Sequence, residues 1–276
     1  MTRLALAALA LATLSPEAPA FAPEFHFHAT YVLAREAGIA EDEALAIAGG
    51  AWSVDSPLDA GELSSIRPLL RAGVMAVALP TLVWPIVFAV VGEYDGAADW
   101  FGKISDVVIS PAAVAVHFPT EGGQRRVTPY TGQAGHRAGG MVALAFGARD
   151  PVLLGIALHS VQDSWSHSGH LPASHLGTML LVDTLATPTS RNRARGAMWQ
   201  TWRILSAWAA PGAEPDRWPL LREKIDSWFR RVRDGEDRTA VLYAILPPGA
   251  AIPEAGTPAT FERARERLVA WIDSGS

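Results

Sequence analysis

The chain has 276 residues, a net charge of −5 and a pI of about 5.9, which is enough for one large domain or two small ones. This acidic balance disfavours a broad phosphate-binding surface of the kind that nucleic-acid-binding proteins carry, although it leaves room for a locally basic groove. The chain has no cysteine, so thiolate zinc sites are excluded and any metal must bind His, Asp, Glu or a backbone group.

The first twenty residues have the pattern of a secretory signal peptide. Arg3 supplies a positive charge, residues 4–14 form an apolar stretch, and the Ala-Pro-Ala of residues 18–20 gives the small-x-small pattern of a cleavage site. The apolar stretch is short for a membrane crossing, and an uncleaved anchor is the alternative. We therefore expect an exported protein, periplasmic or secreted, with a single domain over residues 21–276.

Two helices are predicted next, within residues 25–53. Gly38 is expected to end the first of them, because glycine is the usual residue just past a helix C-terminus. The acidic residues 41–43 would lie in the first turn of the second helix, where the helix dipole favours negative charge.

A long irregular insertion follows, and its first part is apolar. Residues 72–92 carry no charge and contain Pro80 and Pro85, which interrupt a regular helix. Three interpretations remain open: a buried core element, a hydrophobic hairpin that dips into lipid, or a membrane span. Residues 93–133 are rich in Gly, Pro and Thr, and no regular element is predicted for most of them.

Helical patterns return in the second half of the chain. They cover residues 134–147, 150–167, 190–210, 216–234 and 257–274. Asp150 followed by Pro151 is a strong start signal, because the carboxylate caps free N–H groups and proline suits the first helical position. With no convincing series of strands, the sequence predicts an all-α, multi-helix bundle.

The eight histidines are concentrated in the first two thirds of the chain, with none in the last hundred residues. They are His26, His28, His117, His136, His159, His167, His170 and His175. Scattered surface histidines are not expected to cluster in this way. The distribution therefore favours a buried metal site to which several helices contribute.

One predicted helix carries His159, Asp163 and His167, and steps of four residues place all three side chains on one face. His159 and Asp163 can bind one ion together, whereas His167, about 12 Å further along the axis, suits a second ion. A buried hydrogen-bonded pair without metal is the alternative for the first two residues. For His167 the alternative is a cation at the helix C-terminus, where the dipole favours it.

One helix cannot close a ligand shell, so other segments must contribute. The candidates are His28 in the first helix, Asp55 at a helix end, and His117 in the segment "VHF". The remaining histidines are expected to support the ligands or to lie on the surface; these are His26, His136, His170 and His175.

Three segments, "HATYVLAREAGIAEDEALAIAGGAWSVD", "VHF" and "GIALHSVQDSWSHSG", resemble the zinc-dependent phospholipase C / P1 nuclease superfamily. They resemble most its bacterial relatives that have a helix of the type LHxxxDxxxH. The resemblance implies an all-helical fold with a cluster of up to three zinc ions. It also implies a ligand set, carried over position by position: His28, Asp55, His117, His159, Asp163 and His167.

The chain departs from the superfamily at three points, the first of which is the spacing from Asp163 to His167, which is shorter than in the classical phospholipases. The expected mature N-terminus is Phe21 rather than tryptophan, and no later histidine is followed by an acidic residue one turn on. One to three zinc ions are therefore expected rather than a complete three-ion centre.

By the same resemblance, the expected activity is metal-dependent phosphodiester hydrolysis of the phospholipase C kind, with Asp163 as a bridging ligand and Asp55 as a ligand and general base. A phosphodiester small molecule or a lipid head group is the expected substrate, and residues 72–92 could contact a membrane surface. Two alternatives stay open. One is a membrane-associated binding or scaffold domain that the metal stabilises without catalysis; the weaker one is a single-strand nuclease.

Overall fold

The structure is a computed structural model that describes residues 24–54, 119–169 without 123 and 125, 187–210, 217–233 and 237–246, together with 252–253 and 266. Helices make up 73% of these described residues and none of them forms a strand, which confirms the all-α class. Asp55, the apolar run 72–92, His117, His170, His175 and the expected signal peptide lie outside the described residues.

The described chain begins with a π-helical turn, Glu24–Ala29, that continues directly into helix α1, Thr30–Glu36. The other described helices are α2 (Glu41–Ser53), α3 (Arg137–Ala148), α4 (Pro151–Ser166), α5 (Pro188–Ala209), α6 (Trp218–Arg233) and α7 (Arg238–Tyr243). Before α3, residues 126–135 form no regular element, in agreement with the predicted irregular region.

The helix ends follow from local signals in the sequence. Gly38 has φ +88°, a left-handed conformation that glycine adopts without steric cost, and α1 ends just before it. At the start of α4, the Asp150 carboxylate accepts hydrogen bonds from the backbone N–H groups of Val152 and Leu153 at 3.0 and 3.1 Å. Helix α3 begins at Arg137, three residues later than predicted, because Gly135 has φ +84° and His136 is the N-cap.

Helix α4 is the centre of the described structure. It packs against α2, α3 and α5, and all its residues from Val152 to Ser164 are buried. The apolar first half of α4 is therefore enclosed by neighbouring helices. Its polar second half is enclosed in the same way.

The axes of α2 and α4 come unusually close where two glycines face each other. A Cβ atom built on Gly155 would lie 2.9 Å from the Cα of Gly50 and 2.7 Å from the backbone nitrogen of Ala51. Only hydrogen fits at these positions, so both residues must be glycine for the helices to approach this far.

At the far end of this pair of helices, Trp208 of α5 is fully buried and links three elements. Its indole N–H donates to Glu43 of α2 at 2.8 Å, and its backbone carbonyl accepts from Arg149 at 2.9 Å. The Arg149 guanidinium also lies 4.0 Å from the centre of the indole ring. Of the helices described here, none combines the length and apolar character that a membrane crossing requires.

Candidate metal site

The second half of α4 presents His159, Asp163 and His167 at intervals of four residues. The predicted common face is observed, and the three side chains are buried, with exposed fractions of 0%, 1% and 1%. His159 Nε2 lies 3.1 Å from Asp163 Oδ2, and His167 Nε2 lies 3.7 Å from the same oxygen. One carboxylate therefore lies between two imidazole rings of its own helix.

A third imidazole reaches this carboxylate from the π-helical turn. His26 is fully buried, and its Nε2 lies 3.5 Å from Asp163 Oδ1. The rings of His26 and His159 are stacked, with centroids 4.1 Å apart and planes inclined by 26°. Ligand atoms of His26, His159 and Asp163 all lie within 4.8 Å of one another, so the three residues could hold a metal ion.

The ring of His159 is oriented by a backbone carbonyl of α2. Its Nδ1 lies 2.9 Å from the Ala51 carbonyl oxygen. A carbonyl oxygen can only accept, so Nδ1 carries a proton and donates it. Ala51 directly follows Gly50, and the glycine contact between α2 and α4 therefore brings this carbonyl within reach of the imidazole.

The ring of His26 is oriented in the same sense by a side chain of α4. Its Nδ1 donates to Gln162 Oε1 at 2.7 Å. The amide nitrogen of Gln162 donates to the hydroxyl oxygens of Thr30 and Thr201 at 2.8 and 3.2 Å, and its oxygen lies towards His26. Like His159, His26 thus uses Nδ1 for a protein acceptor and turns Nε2 towards Asp163.

These hydrogen bonds have an electrostatic consequence. A neutral imidazole that donates from Nδ1 has a lone pair on Nε2, and here two such nitrogens face one carboxylate. Such contacts become favourable when a ring gains a second proton, when the carboxyl group is protonated, or when a cation lies between the three groups. One divalent cation could be shared by the two neutral rings and the carboxylate, with both Nε2 lone pairs as ligands.

The spacing also fits a metal ion. In a tetrahedral zinc site with Zn–N bonds of about 2.0–2.1 Å, neighbouring ligand atoms lie about 3.3 Å apart. The His159–Oδ2 and His26–Oδ1 distances are 3.1 and 3.5 Å, and one donor atom from each of the three residues lies within 4.8 Å of the others. A histidine that binds a metal through one ring nitrogen usually donates the N–H of its other ring nitrogen to a carbonyl or carboxylate oxygen. Both rings here donate from Nδ1 to a carbonyl oxygen.

His167 is the C-cap residue of α4, with its backbone N–H bonded to the Asp163 carbonyl at 2.9 Å. The end of the helix is held by Arg193 of α5, which donates to the carbonyls of Ser166 and Ser168, both at 2.9 Å. His167 Nε2 faces the same carboxylate oxygen as His159 Nε2. The expectation that His167 suits a second ion stays a prediction, and the structure places this nitrogen beside the carboxylate that was expected to bridge two ions.

His28 belongs to a different set of contacts. It is half-buried, and its Nδ1 lies 3.0 Å from the Tyr243 hydroxyl. Burial, and to a smaller extent Tyr31, raises the pKa of Tyr243, so the phenol keeps its proton at neutral pH. The resemblance to the superfamily implied that His28 is a ligand, but His28 is not in the group of three that the described residues assemble.

His26 was expected to support the ligands or to lie on the surface. The surface location is wrong, because His26 is fully buried within the candidate group. In the segment His-Phe-His, the first imidazole contacts residues of α4 and the second contacts Tyr243. No local sequence signal predicted a π-helix in this segment. His136, also buried, caps α3: its Nδ1 accepts from Ala138 N–H, and its Nε2 donates to the Thr128 carbonyl at 2.8 Å.

Comparison of the chain with models of protein families, with curated proteins and with solved structures gives no match.

Proposed function

We propose that this chain is a zinc-dependent phosphodiester hydrolase of the phospholipase C kind, with His26, His159 and Asp163 as metal ligands. One observation supports it above the others: two buried imidazoles donate from Nδ1 to protein acceptors and turn Nε2 towards one carboxylate. This arrangement is the one that metal-binding histidines adopt.

The donor atoms favour zinc. Two imidazole nitrogens and a carboxylate oxygen, without sulfur, form the kind of set that catalytic zinc sites use. The acidic ligand lies between the two nitrogens, so the negative charge is close to the cation. His167, whose Nε2 is 3.7 Å from Asp163 Oδ2, is placed to complete the set or to stabilise the carboxylate.

The residues around the candidate site have distinct roles in this proposal. The Ala51 carbonyl and the Gln162 amide hold the Nδ1 protons of His159 and His26, which keeps both Nε2 atoms directed at the site. Asp163 supplies the charge that offsets the cation. Bound zinc would supply a Lewis acid for the phosphoryl oxygens and a water of lowered pKa.

The remaining parts of the function rest on the sequence. Export, from residues 1–20, would place the protein where zinc is not removed by competing thiols of a reducing compartment. A lipid head group is the proposed substrate, and residues 72–92 are the proposed contact with the lipid surface. Asp55 and His117 are the proposed additional ligands, with Asp55 as general base.

A second function, a metal-stabilised domain without turnover, is favoured by one observation. His26, His159 and Asp163 are each at most 1% exposed within the described structure. A substrate must reach a catalytic metal, whereas a structural metal is enclosed and contributes directly to the free energy of folding.

Metal analysis and hydrolysis assays on the full-length protein test both functions. The substrates are bis(p-nitrophenyl) phosphate, a short-chain phosphatidylcholine and a single-stranded oligonucleotide, each with zinc and with chelator. We expect bound zinc and chelator-sensitive hydrolysis of at least one substrate. The substrate that is cleaved separates the phospholipase from the nuclease.

The matched variants are Asp163→Asn and Asp150→Asn, which make the same change on one helix. Asparagine is also a good N-cap, so Asp150→Asn should keep zinc and activity, while Asp163→Asn should lose activity more than about 100-fold. Zinc-dependent melting without hydrolysis of any substrate would support the second function and remove the first. Equal zinc content in wild type and Asp163→Asn would contradict both.

A further inference from the structure

Helices α5 and α6 carry a positive charge that the composition of the whole chain conceals. Helix α5 has four arginines and no acidic residue, and α6 has five basic residues and two acidic ones, although the protein as a whole has a net charge of −5. Such a local concentration of one sign attracts ligands of the opposite sign.

A cavity of about 260 Å³ lies between these two helices. It is smaller than the roughly 300–1,000 Å³ of sites for drug-sized ligands, so it suits a small ion or a head group. The described residues that line it are Pro188, Arg191, Asn192, Arg195, Phe229 and Arg230. None of these is acidic, and three are arginines.

Hydrogen bonds hold part of this lining in place. Arg195 donates to the Asp226 carboxylate and, at 2.9 Å, to Asn192 Oδ1, and its guanidinium lies 5.0 Å from the centre of the Phe229 ring. Asp226 also faces Arg222, with Oδ2 3.9 Å from that side chain's Nε. The Asp226 carboxylate is therefore shared by two arginines.

The cavity is separate from the candidate metal site. Arg193, between Arg191 and Arg195 in sequence, points to the other side of α5 and binds the carbonyls at the end of α4. Arg191 and Arg195, four residues apart, share the face that lines the cavity. The two sites thus use different faces of the same helix.

We propose that this cavity binds a phosphate group, either as a free anion or as part of a lipid head group. Guanidinium groups present paired N–H donors that match phosphate oxygens, and the cavity has arginines from two helices in its lining. Pro188 and Phe229 provide an apolar wall beside the charged groups, which suits an anion with an organic substituent. The site does not depend on bound metal or on turnover.

The test measures binding to full-length protein treated with chelator, so that neither a bound metal nor hydrolysis contributes. The probes are inorganic phosphate, followed by calorimetry, and vesicles of phosphatidylcholine with and without phosphatidic acid, followed by sedimentation. Wild type should bind at least one phosphate probe. Binding of phosphate alone identifies a small-anion site, and binding only of phosphatidic acid vesicles identifies a head-group site.

Three single variants locate the binding. Arg191→Gln and Arg230→Gln should each weaken it about tenfold. Arg203→Gln, which removes an equal charge from an exposed position of α5 outside the cavity, should change it less than about twofold. Absence of binding to both probes, or equal losses in all three variants with unchanged circular dichroism, would overturn the assignment.

Discussion

Replacing Gly155 by alanine is the sharpest test of the packing that supports the candidate site. The added methyl group would overlap the Ile47 carbonyl oxygen and lie 2.7 Å from the backbone nitrogen of Ala51. All the atoms that it meets belong to the backbone of α2, which cannot rotate away as a side chain can. Helices α2 and α4 must therefore move apart.

The size of the effect follows from two opposing contributions. Alanine in place of glycine within a helix stabilises by about 1 kcal/mol, whereas overpacking costs about 1–3 kcal/mol. Because rigid backbone is displaced, the cost should lie at the upper end, and the net destabilisation should be about 2 kcal/mol. Separation of the helices also draws the Ala51 carbonyl away from His159 Nδ1, which should weaken metal binding about 10–100-fold.

Urea unfolding at constant pH measures the stability change, and a zinc competition assay measures the change in affinity. Gly140→Ala in α3 is the matched control, because a Cβ atom there meets nothing within 4 Å. It should stabilise the protein by about 0.5–1 kcal/mol. If Gly155→Ala proves as stable as Gly140→Ala, the close crossing of α2 and α4 is refuted.

Three further predictions concern pH, capping and metal. Burial lowers the pKa of His136 below 6.5, and this effect outweighs those of the Thr128 carbonyl and Glu121, which raise the pKa. As the pH falls, the unfolded chain therefore binds more protons at this residue than the folded chain does. Stability from this residue should be complete above about pH 6.5 and decline as the pH falls from there towards the folded-state pKa. Urea titrations at pH 7.5 and 5.5 should show a smaller pH dependence in His136→Asn. Asp150→Ala should lower the unfolding free energy by about 1 kcal/mol, and Asp150→Asn by much less; equal losses would contradict the observed cap. Saturation with zinc at 100 times its dissociation constant should stabilise wild type by about 2.7 kcal/mol, measured by urea unfolding, and should leave Asp163→Asn nearly unchanged.

Helix positions could be predicted because their signals are local. Asp150 and Pro151 mark the start of α4, and Gly38 marks the end of α1, through backbone preferences of one or two residues. The shared face of His159 and Asp163 follows from helix geometry alone. Such features need no knowledge of what packs against the helix.

The partners of the site could not be predicted in this way, since they depend on contacts between distant segments. Gln162 looks like an ordinary polar residue of a helix until His26, Thr30 and Thr201 are placed around it. The choice of His26 over His28 depends on one π-helical turn. The basic cavity could not be located from the net charge for a related reason. Net charge is a sum over the whole chain, whereas a binding site depends on which residues two helices bring together.

Hydrogen bonds to other helices compensate part of the cost of burying the polar end of α4. The Ala51 carbonyl and the Gln162 amide satisfy one nitrogen of each imidazole, and a divalent cation would satisfy the other two nitrogens together with the Asp163 carboxylate. This reasoning explains burial, and it holds equally for a catalytic and a structural metal. What separates the two functions is access from solvent to the cation, and that is decided by turnover of a phosphodiester rather than by the ligand set.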